Sequence, residues 1–171
     1  SDLLSEKIKN TNQVIEENLI SKETAIIGDI ASHLINSGGK RVRPLLTLTV
    51  SELFDYQGDK DTVLAAAIEY IHSATLLHDD VIDRSQKRRG LKTANIIWTN
   101  KYSVLVGDFL FSRAFQLMVR TGSIRIMKTL SDASAIISQG EILQVGIEKK
   151  LDASEEDYLK LIQGKTSALF S

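Results

Sequence analysis

The 171-residue chain has no cysteine, a single proline, and aromatic residues at only 6%. Without cysteine there can be no disulfide scaffold, no thiolate zinc site and no cysteine nucleophile. A cysteine-free chain suits the reducing cytoplasm, which is the expected compartment. Pro44 stands alone where average usage gives roughly eight or nine prolines. That leaves little room for the many tight turns of a β-sandwich and favours long uninterrupted helices. Neither sign of charge dominates: 21 Lys and Arg against 22 Asp and Glu leave a net charge of −1. A general nucleic-acid binder carries a basic excess, so nucleic acid is not an expected partner. No apolar run approaches the ~18 residues of a membrane span. The longest candidates, Val104–Val106 and Phe109–Phe111, are split by Gly107-Asp108.

What is present is enough for a core. Apolar residues make up 43% and charged residues 25%, which excludes general disorder, and the length suits one domain. The N-terminus, SDLLSEKIKN, is amphipathic and lacks the pattern of a signal peptide. Leu4, Ile8, Ile15 and Leu19, with Val14 beside them, predict a first helix. Ser21 is a candidate N-cap for a second, which carries Ile26, Ile27, Ile30, Leu34 and Ile35 and stops at Gly38-Gly39. Pro44 suits the first turn of a third. Asp59 to Asp61 open a long fourth segment through AAAIEYIHSATLLHDDVID, and SQKRRGLK reads as a loop. Thr93 to about Arg120 predicts one helix of roughly 40 Å. Thr121-Gly122-Ser123 punctuates, and Ile124 to about Ile147 continues as helix. Ser154-Glu155-Glu156-Asp157 fits a capping box for the last one. No strand or linker is expected. The expectation is a single all-α domain, residues 1–171, of about seven helices, forming the N-terminal part of something longer.

His78-Asp79-Asp80-Val81-Ile82-Asp83 carries the chemistry. At about 100° per residue, Asp79, Asp80 and Asp83 fall within one arc of about 100°. Like charges at these spacings repel, and anions near a helix C-terminus oppose the macrodipole. One reading is a solvated acidic helix end, with Arg84 and Lys87 four residues beyond Asp80 and Asp83 as ion-pair partners. The other is a divalent-cation site, since Mg²⁺ takes a few carboxylates plus phosphate oxygens. The apolar neighbours Leu76, Leu77, Val81 and Ile82 point to a cavity wall and favour the second.

Two basic clusters flank the aspartates. Lys40, Arg41 and Arg43 lie in Gly-Gly-Lys-Arg-Val-Arg-Pro, and Lys87, Arg88 and Arg89 precede Gly90. Each alone reads as an ordinary surface run. Together with the aspartates they suit a site for two polyanions, because arginine forks grip phosphate oxygens and aspartates hold phosphate only through metal. His72, seven residues before Asp79, shares its helix face at about 20°. His78 points elsewhere, toward a supporting or core role, and His33 has no chemical company. Glu69-Tyr70-Ile71-His72 matches half of a di-iron bundle signature, but the second Glu-x-x-His is missing. Gln163-Gly164-Lys165-Thr166 fails as a phosphate-binding P-loop, because Leu159 stands where the first glycine is required.

Gly38–Pro44, Ile71–Asp83, Arg88-Arg89-Gly90, Val106–Leu110, Gln139–Gln144 and Gly164–Thr166 occur in that order. This ordered set resembles the trans-isoprenyl (polyprenyl) diphosphate synthases, and most closely their long-chain, octaprenyl-type branch. The resemblance runs from about Gly38 to the end. It implies an all-α prenyltransferase helical bundle that adds isopentenyl diphosphate head-to-tail to an allylic diphosphate, using Mg²⁺. It implies that Asp79, Asp80 and Asp83 form the first aspartate-rich motif, with Asp79 and Asp83 ahead of Asp80 as direct Mg²⁺ ligands. Lys40, Arg43, His72 and Arg89 match the isopentenyl diphosphate site, and Arg88, Lys165 and Thr166 match contacts to the allylic diphosphate. Ala74 and Thr75 are small where a bulky aromatic would cap the product channel early, which implies a product longer than farnesyl. The resemblance further implies a homodimer, built on the Thr93–Arg120 stretch, and leaves room for peripheral membrane contact during product release. The family's second aspartate-rich motif is not found after Thr166, so the 171 residues alone are expected to be inactive. A non-catalytic subunit of a heteromeric synthase is the alternative, weakened by the intact aspartates. A metal-carboxylate redox bundle is a further one.

Overall fold

The structure, a computed structural model, describes residues 2–20, 24–35, 41–147, 154 and 159. Seven helices and one small hairpin occur among them: α1 (Asp2–Leu19), α2 (Ala25–Ile35), α3 (Val42–Leu53), α4 (Lys60–Ile82), β1 (Lys87–Arg88), β2 (Leu91–Lys92), α5 (Ala94–Ile97), α6 (Asn100–Arg120) and α7 (Ile124–Ile147). The chain divides after Gly122 into two compact units, 1–122 and 123–171. In the second, α7 starts as Ser123 Oγ accepts the Ile126 N–H. The expected caps at Ser21 and Gly38-Gly39, and most of the capping box at 154–157, lie outside the described residues.

In the first unit, α4 is the central element. It packs chiefly on α6, and then on α3 and α1. Ala65, Ala66 and Ala67 are fully buried, with Tyr70, Ile71, Ala74 and Leu77 continuing the core. Three consecutive alanines put a small side chain on three faces of the helix, so neighbours can approach it closely from several sides. From α6, Val106, Leu110, Ala114, Leu117 and Met118 meet them at helical spacing. From α1, Thr11, Ile15 and Leu19 repeat every four residues, all buried. Two polar ties cross this core. Tyr70 donates its hydroxyl to the Ile15 carbonyl. Asp61, 5% exposed, accepts from Lys7 Nζ at 2.6 Å and from Ser51 Oγ at 2.8 Å, joining α1, α3 and α4.

Pro44 lies in the first turn of α3 and is buried, where its missing N–H has no helical acceptor to lose. Two expectations are corrected. The 93–120 stretch is two helices, not one: the chain breaks at Trp98-Thr99, and Thr99 caps α6 by accepting the Tyr102 N–H. A threonine hydroxyl at that point offers the backbone an alternative to helical bonding. The loop SQKRRGLK contains a short antiparallel hairpin, with Lys87 opposite Lys92 and Arg88 opposite Leu91. Its two turn residues, Arg89 and Gly90, have φ of 50° and 83°, as a two-residue type I′ connection requires.

α4 and α6 approach each other closely at Gly107. A Cβ there would lie 2.3 Å from His78 Nε2. That nitrogen sits 3.1 Å from the Val104 carbonyl and 3.4 Å from Asp108 Oδ1, and the ring stacks on Phe111. His78 is therefore a packing residue between the two helices. Gly107→Ala gains about 1 kcal/mol of helix propensity but overpacks His78 at a cost of about 1–3 kcal/mol. Denaturant unfolding is expected to show a net loss for Gly107→Ala alone and a gain for the same change in a His78→Ala background. A gain in both backgrounds contradicts the packing account.

Candidate functional site

The site gathers on the C-terminal half of α4 and on what folds back against it. Glu69 and Asp80 lie on the same helix on either side of His72. Both are carboxylates that the fold buries, at 7% and 1% exposure. Each holds an arginine. Arg41 Nη1 donates to Glu69 Oε1 at 2.7 Å, from the residue that caps the start of α3. Arg88 grips Asp80 with Nε and Nη2, at 2.8 to 3.2 Å across both carboxylate oxygens. Leaving such a carboxylate without its partner is strongly unfavourable. The two pairs therefore fix where α3 begins and where the hairpin lies.

Each pair also places a neighbouring arginine. Arg43 follows Arg41, and Arg89 follows Arg88. His72 feels both of them, together with Arg88. Its pKa falls from 6.5 to about 3, first through burial and then through the positive charges of Arg43, Arg88 and Arg89. The positive charges of two separate segments thus act on one neutral imidazole. Arg43 is itself pulled down by burial, which the nearby Glu69 partly opposes. Like charges brought together in this way oppose folding, and an anion bound among them relieves the repulsion.

The hairpin that carries Arg88 and Arg89 is tied down at its base. Thr93 N–H donates to the Gln86 carbonyl, and Thr93 Oγ1 donates to the Ser85 carbonyl at 2.7 Å. Asn95 Nδ2 reaches the carbonyls of Asp80 and Ser85, both at 3.3 Å. His33, from α2, bonds the Lys92 carbonyl at 2.8 Å and meets Trp98 edge-on. His33 therefore has company after all, as a brace for the hairpin. Asn95 carries no motif and was not singled out in the sequence, Arg41 was read there only as part of a basic run, and His33 as lacking chemical company. The signal for Arg41 was Glu69, a carboxylate on the apolar face of α4.

Asp79 and Asp83 stand one helical turn apart. Asp83 caps α4, and its N–H donates to the Asp79 carbonyl at 2.8 Å. Asp79 is half-buried and Asp83 exposed. The expected ion pairs to Arg84 and Lys87 presuppose a continuing helix. The helix ends at Ile82, and Asp80 pairs instead with Arg88, eight residues on. Among the described residues, no group of three or more His, Asp or Glu side chains is arranged to hold a metal. The Asp79–Asp83 pair fits Mg²⁺ in its usual mode, in which one or two carboxylates serve and phosphate oxygens and water supply the rest. Glu69 is occupied by Arg41, which removes the remaining half of the di-iron pattern. Ala74 is fully enclosed, and Thr75 is half-buried with Oγ1 donating to the His72 carbonyl. Lys40, Lys165 and Thr166 lie outside the described residues.

Residues 24–171 match the Polyprenyl synthetase family. Octaprenyl diphosphate synthase of Escherichia coli (strain K12) is 40% identical over 99% of this chain and 52% of its own. A crystal structure of a decaprenyl diphosphate synthase from Rhodobacter capsulatus superposes with a TM-score of 0.95 at 50% identity, over 99% of this chain and 52% of that one. The polyprenyl synthase from Caulobacter crescentus CB15, complexed with calcium and isoprenyl diphosphate, gives 0.95 at 47% identity, over 99% and 51%. The chain belongs to the polyprenyl synthetase family, and its fold is that of the isoprenoid synthases. It spans about half the length of the curated relatives it matches. No described helix is long and apolar enough to cross a membrane.

The low pKa of His72 makes a prediction about pH. The unfolded imidazole takes up its proton near pH 6.5, whereas the folded one does so only near 3. Between these values the unfolded state binds more protons, so stability falls as pH falls through this window. One such group contributes at most about 1.4 kcal/mol per pH unit. Urea unfolding between pH 7 and pH 5 is expected to show a steeper loss for the wild type than for His72→Gln. Equal slopes contradict a neutral His72.

Proposed function

We propose that the chain forms part of a polyprenyl diphosphate synthase. This enzyme condenses isopentenyl diphosphate head-to-tail with an allylic diphosphate to make a long-chain all-trans polyprenyl diphosphate. The observation that carries this reading is that the charges of Arg43, Arg88 and Arg89, from two segments, all act on His72, on the same helix as the Asp79–Asp83 turn. An anion site beside a carboxylate pair is what a diphosphate-transferring centre needs.

In this reading Arg43, Arg89 and His72 hold isopentenyl diphosphate, together with Lys40. Arg88 faces the allylic diphosphate with Lys165 and Thr166. Asp79 and Asp83 would hold Mg²⁺, which when bound neutralises charge building on the leaving diphosphate. The arginines stabilise the same charge from the protein side, and being already in place they do so without reorganising. His72 is neutral at physiological pH, so it binds by hydrogen bonding and adds no further charge among the arginines. The apolar side chains of α4 keep water away from the allylic cation. No side-chain base is required, because the departing diphosphate can take the proton. The enzyme is placed in the cytoplasm, acts as a homodimer through the α5–α6 region, and meets the membrane only peripherally when product leaves.

Product length provides the test. A version of the full family length, supplied with labelled isopentenyl diphosphate, farnesyl diphosphate and Mg²⁺, is expected to yield products longer than farnesyl on chromatography. Thr75→Phe and Ala74→Phe are expected to shorten them. Because Ala74 is fully enclosed, Thr75→Phe is the variant expected to act without loss of stability. No incorporation of label by the wild type sinks the functional reading, and unchanged products in both variants sink the channel.

A further inference from the structure

We propose that His33 is a positioning residue for Arg89: by holding the second strand of the hairpin, it sets where the Arg89 cation meets isopentenyl diphosphate. The inference rests on the functional reading above, which gives Arg89 that substrate. The hairpin does not hold itself. It has two residues per strand, and an isolated two-stranded hairpin is marginal in water. Its register sets Lys87 opposite Lys92, and like charges directly opposite are destabilising. Its tip carries Arg89 at φ 50°, an unfavourable region for a residue with a Cβ. The position of the tip therefore depends on ties from outside the hairpin.

The two strands are tied differently. The first is held through Arg88, which Asp80 grips. The second is held by His33, whose Nε2 lies 2.8 Å from the Lys92 carbonyl. A carbonyl only accepts, so Nε2 is the donor. His33 stands in the last turn of α2, and its neighbours Ile30, Ala31, Leu34 and Ile35 are buried, so the bond starts from a packed helix. The edge-on contact with Trp98, at 5.4 Å between ring centroids, holds the imidazole plane. The Arg89 side chain has no hydrogen-bond or ion-pair partner among the described residues, so its direction follows from the backbone beneath it. That backbone runs from the strand held by Asp80 to the strand held by His33. Loss of the Lys92 tie leaves Arg88 in place and releases Arg89.

Steady-state kinetics of a version of the full family length, with farnesyl diphosphate and Mg²⁺, separate positioning from general support. His33→Phe keeps an aromatic ring for Trp98 and removes the donor. It is expected to raise KM for isopentenyl diphosphate about tenfold, with kcat and KM for farnesyl diphosphate within about twofold of the wild type. His33→Gln, whose Nε2 can donate to the same carbonyl, is expected to restore most of the loss. In an Arg89→Gln background His33→Phe is expected to add nothing. If His33→Phe does not fold, His33→Asn, with its shorter amide, takes its place. Losses shared equally by both substrates overturn the proposal, as does an unchanged KM for isopentenyl diphosphate or full additivity with Arg89→Gln. Ring-proton NMR without substrate tests the same tie independently of turnover. Arg89→Gln removes a positive charge that acts on His72 and His33→Phe displaces it, so both are expected to raise the His72 pKa. A His72 pKa unchanged in His33→Phe overturns the positioning role. A wild type without turnover overturns the functional reading, and the NMR comparison still decides the tie.

Discussion

Two buried carboxylates on one helix, each closed by an arginine from elsewhere in the chain, set the form of everything around the site. Glu69 takes Arg41 and Asp80 takes Arg88. Neither pair is valuable as a source of stability in itself, since desolvating an ion pair offsets much of its attraction. Its value is geometric. Glu69 fixes where α3 starts, and Asp80 fixes how the hairpin lies against the end of α4. In both basic segments one arginine serves as a strut and a neighbour is left beside His72. The four arginines of the two clusters thus take different tasks, and an apparently redundant basic run becomes an economical one.

The hairpin shows what this arrangement asks of the backbone. Its turn needs positive φ at both central residues, where Asn-Gly or Gly-Gly is favoured. Arginine stands at the first of them, at φ 50°, which for a residue with a Cβ is unfavourable by roughly 1–2 kcal/mol. Arg84 and Arg41 are held in the same region. Strain of this kind collects where a side chain is needed more than an easy turn. At Arg89 the side chain that is needed is a cation whose charge acts on His72. Local preference and global arrangement disagree at these positions.

Much of this was legible in the sequence. The apolar spacings of α1, α4 and α7 follow from periodicity, and the placement of Pro44 follows from the chemistry of a helix start. Asp79, Asp83, Arg43, His72 and Arg89 stood out as residues of the right type in an ordered pattern. What was hidden depends on tertiary partners. The break at Trp98-Thr99 is invisible to an apolar period that runs on through it. The hairpin is only two residues per strand, too short for alternation to register. Helical geometry by itself does not separate Asp80 from Asp79, because it places all three carboxylates in one arc. Only the end of the helix at Ile82 and the reversal through Ser85, whose N–H donates to the Asp80 carbonyl, bring Arg88 onto one of them. His33 and Asn95 gain their meaning solely from the carbonyls they meet. Gly107 reads as a helix weakness until His78 is seen against it.

The central claim is that the cations around His72 form an anion site, and the three histidines of the chain give it a direct reporter. His72 lies among the arginines, whereas His78 packs between α4 and α6. In ring-proton NMR titrated with inorganic pyrophosphate and Mg²⁺, the account predicts saturable movement of the His72 signals and a rise in its pKa above about 3. The rise follows because a bound anion offsets the positive charges that help hold the pKa down. The His78 signals are predicted to stay in place. A His72 resonance and pKa unchanged at saturating pyrophosphate would contradict the account.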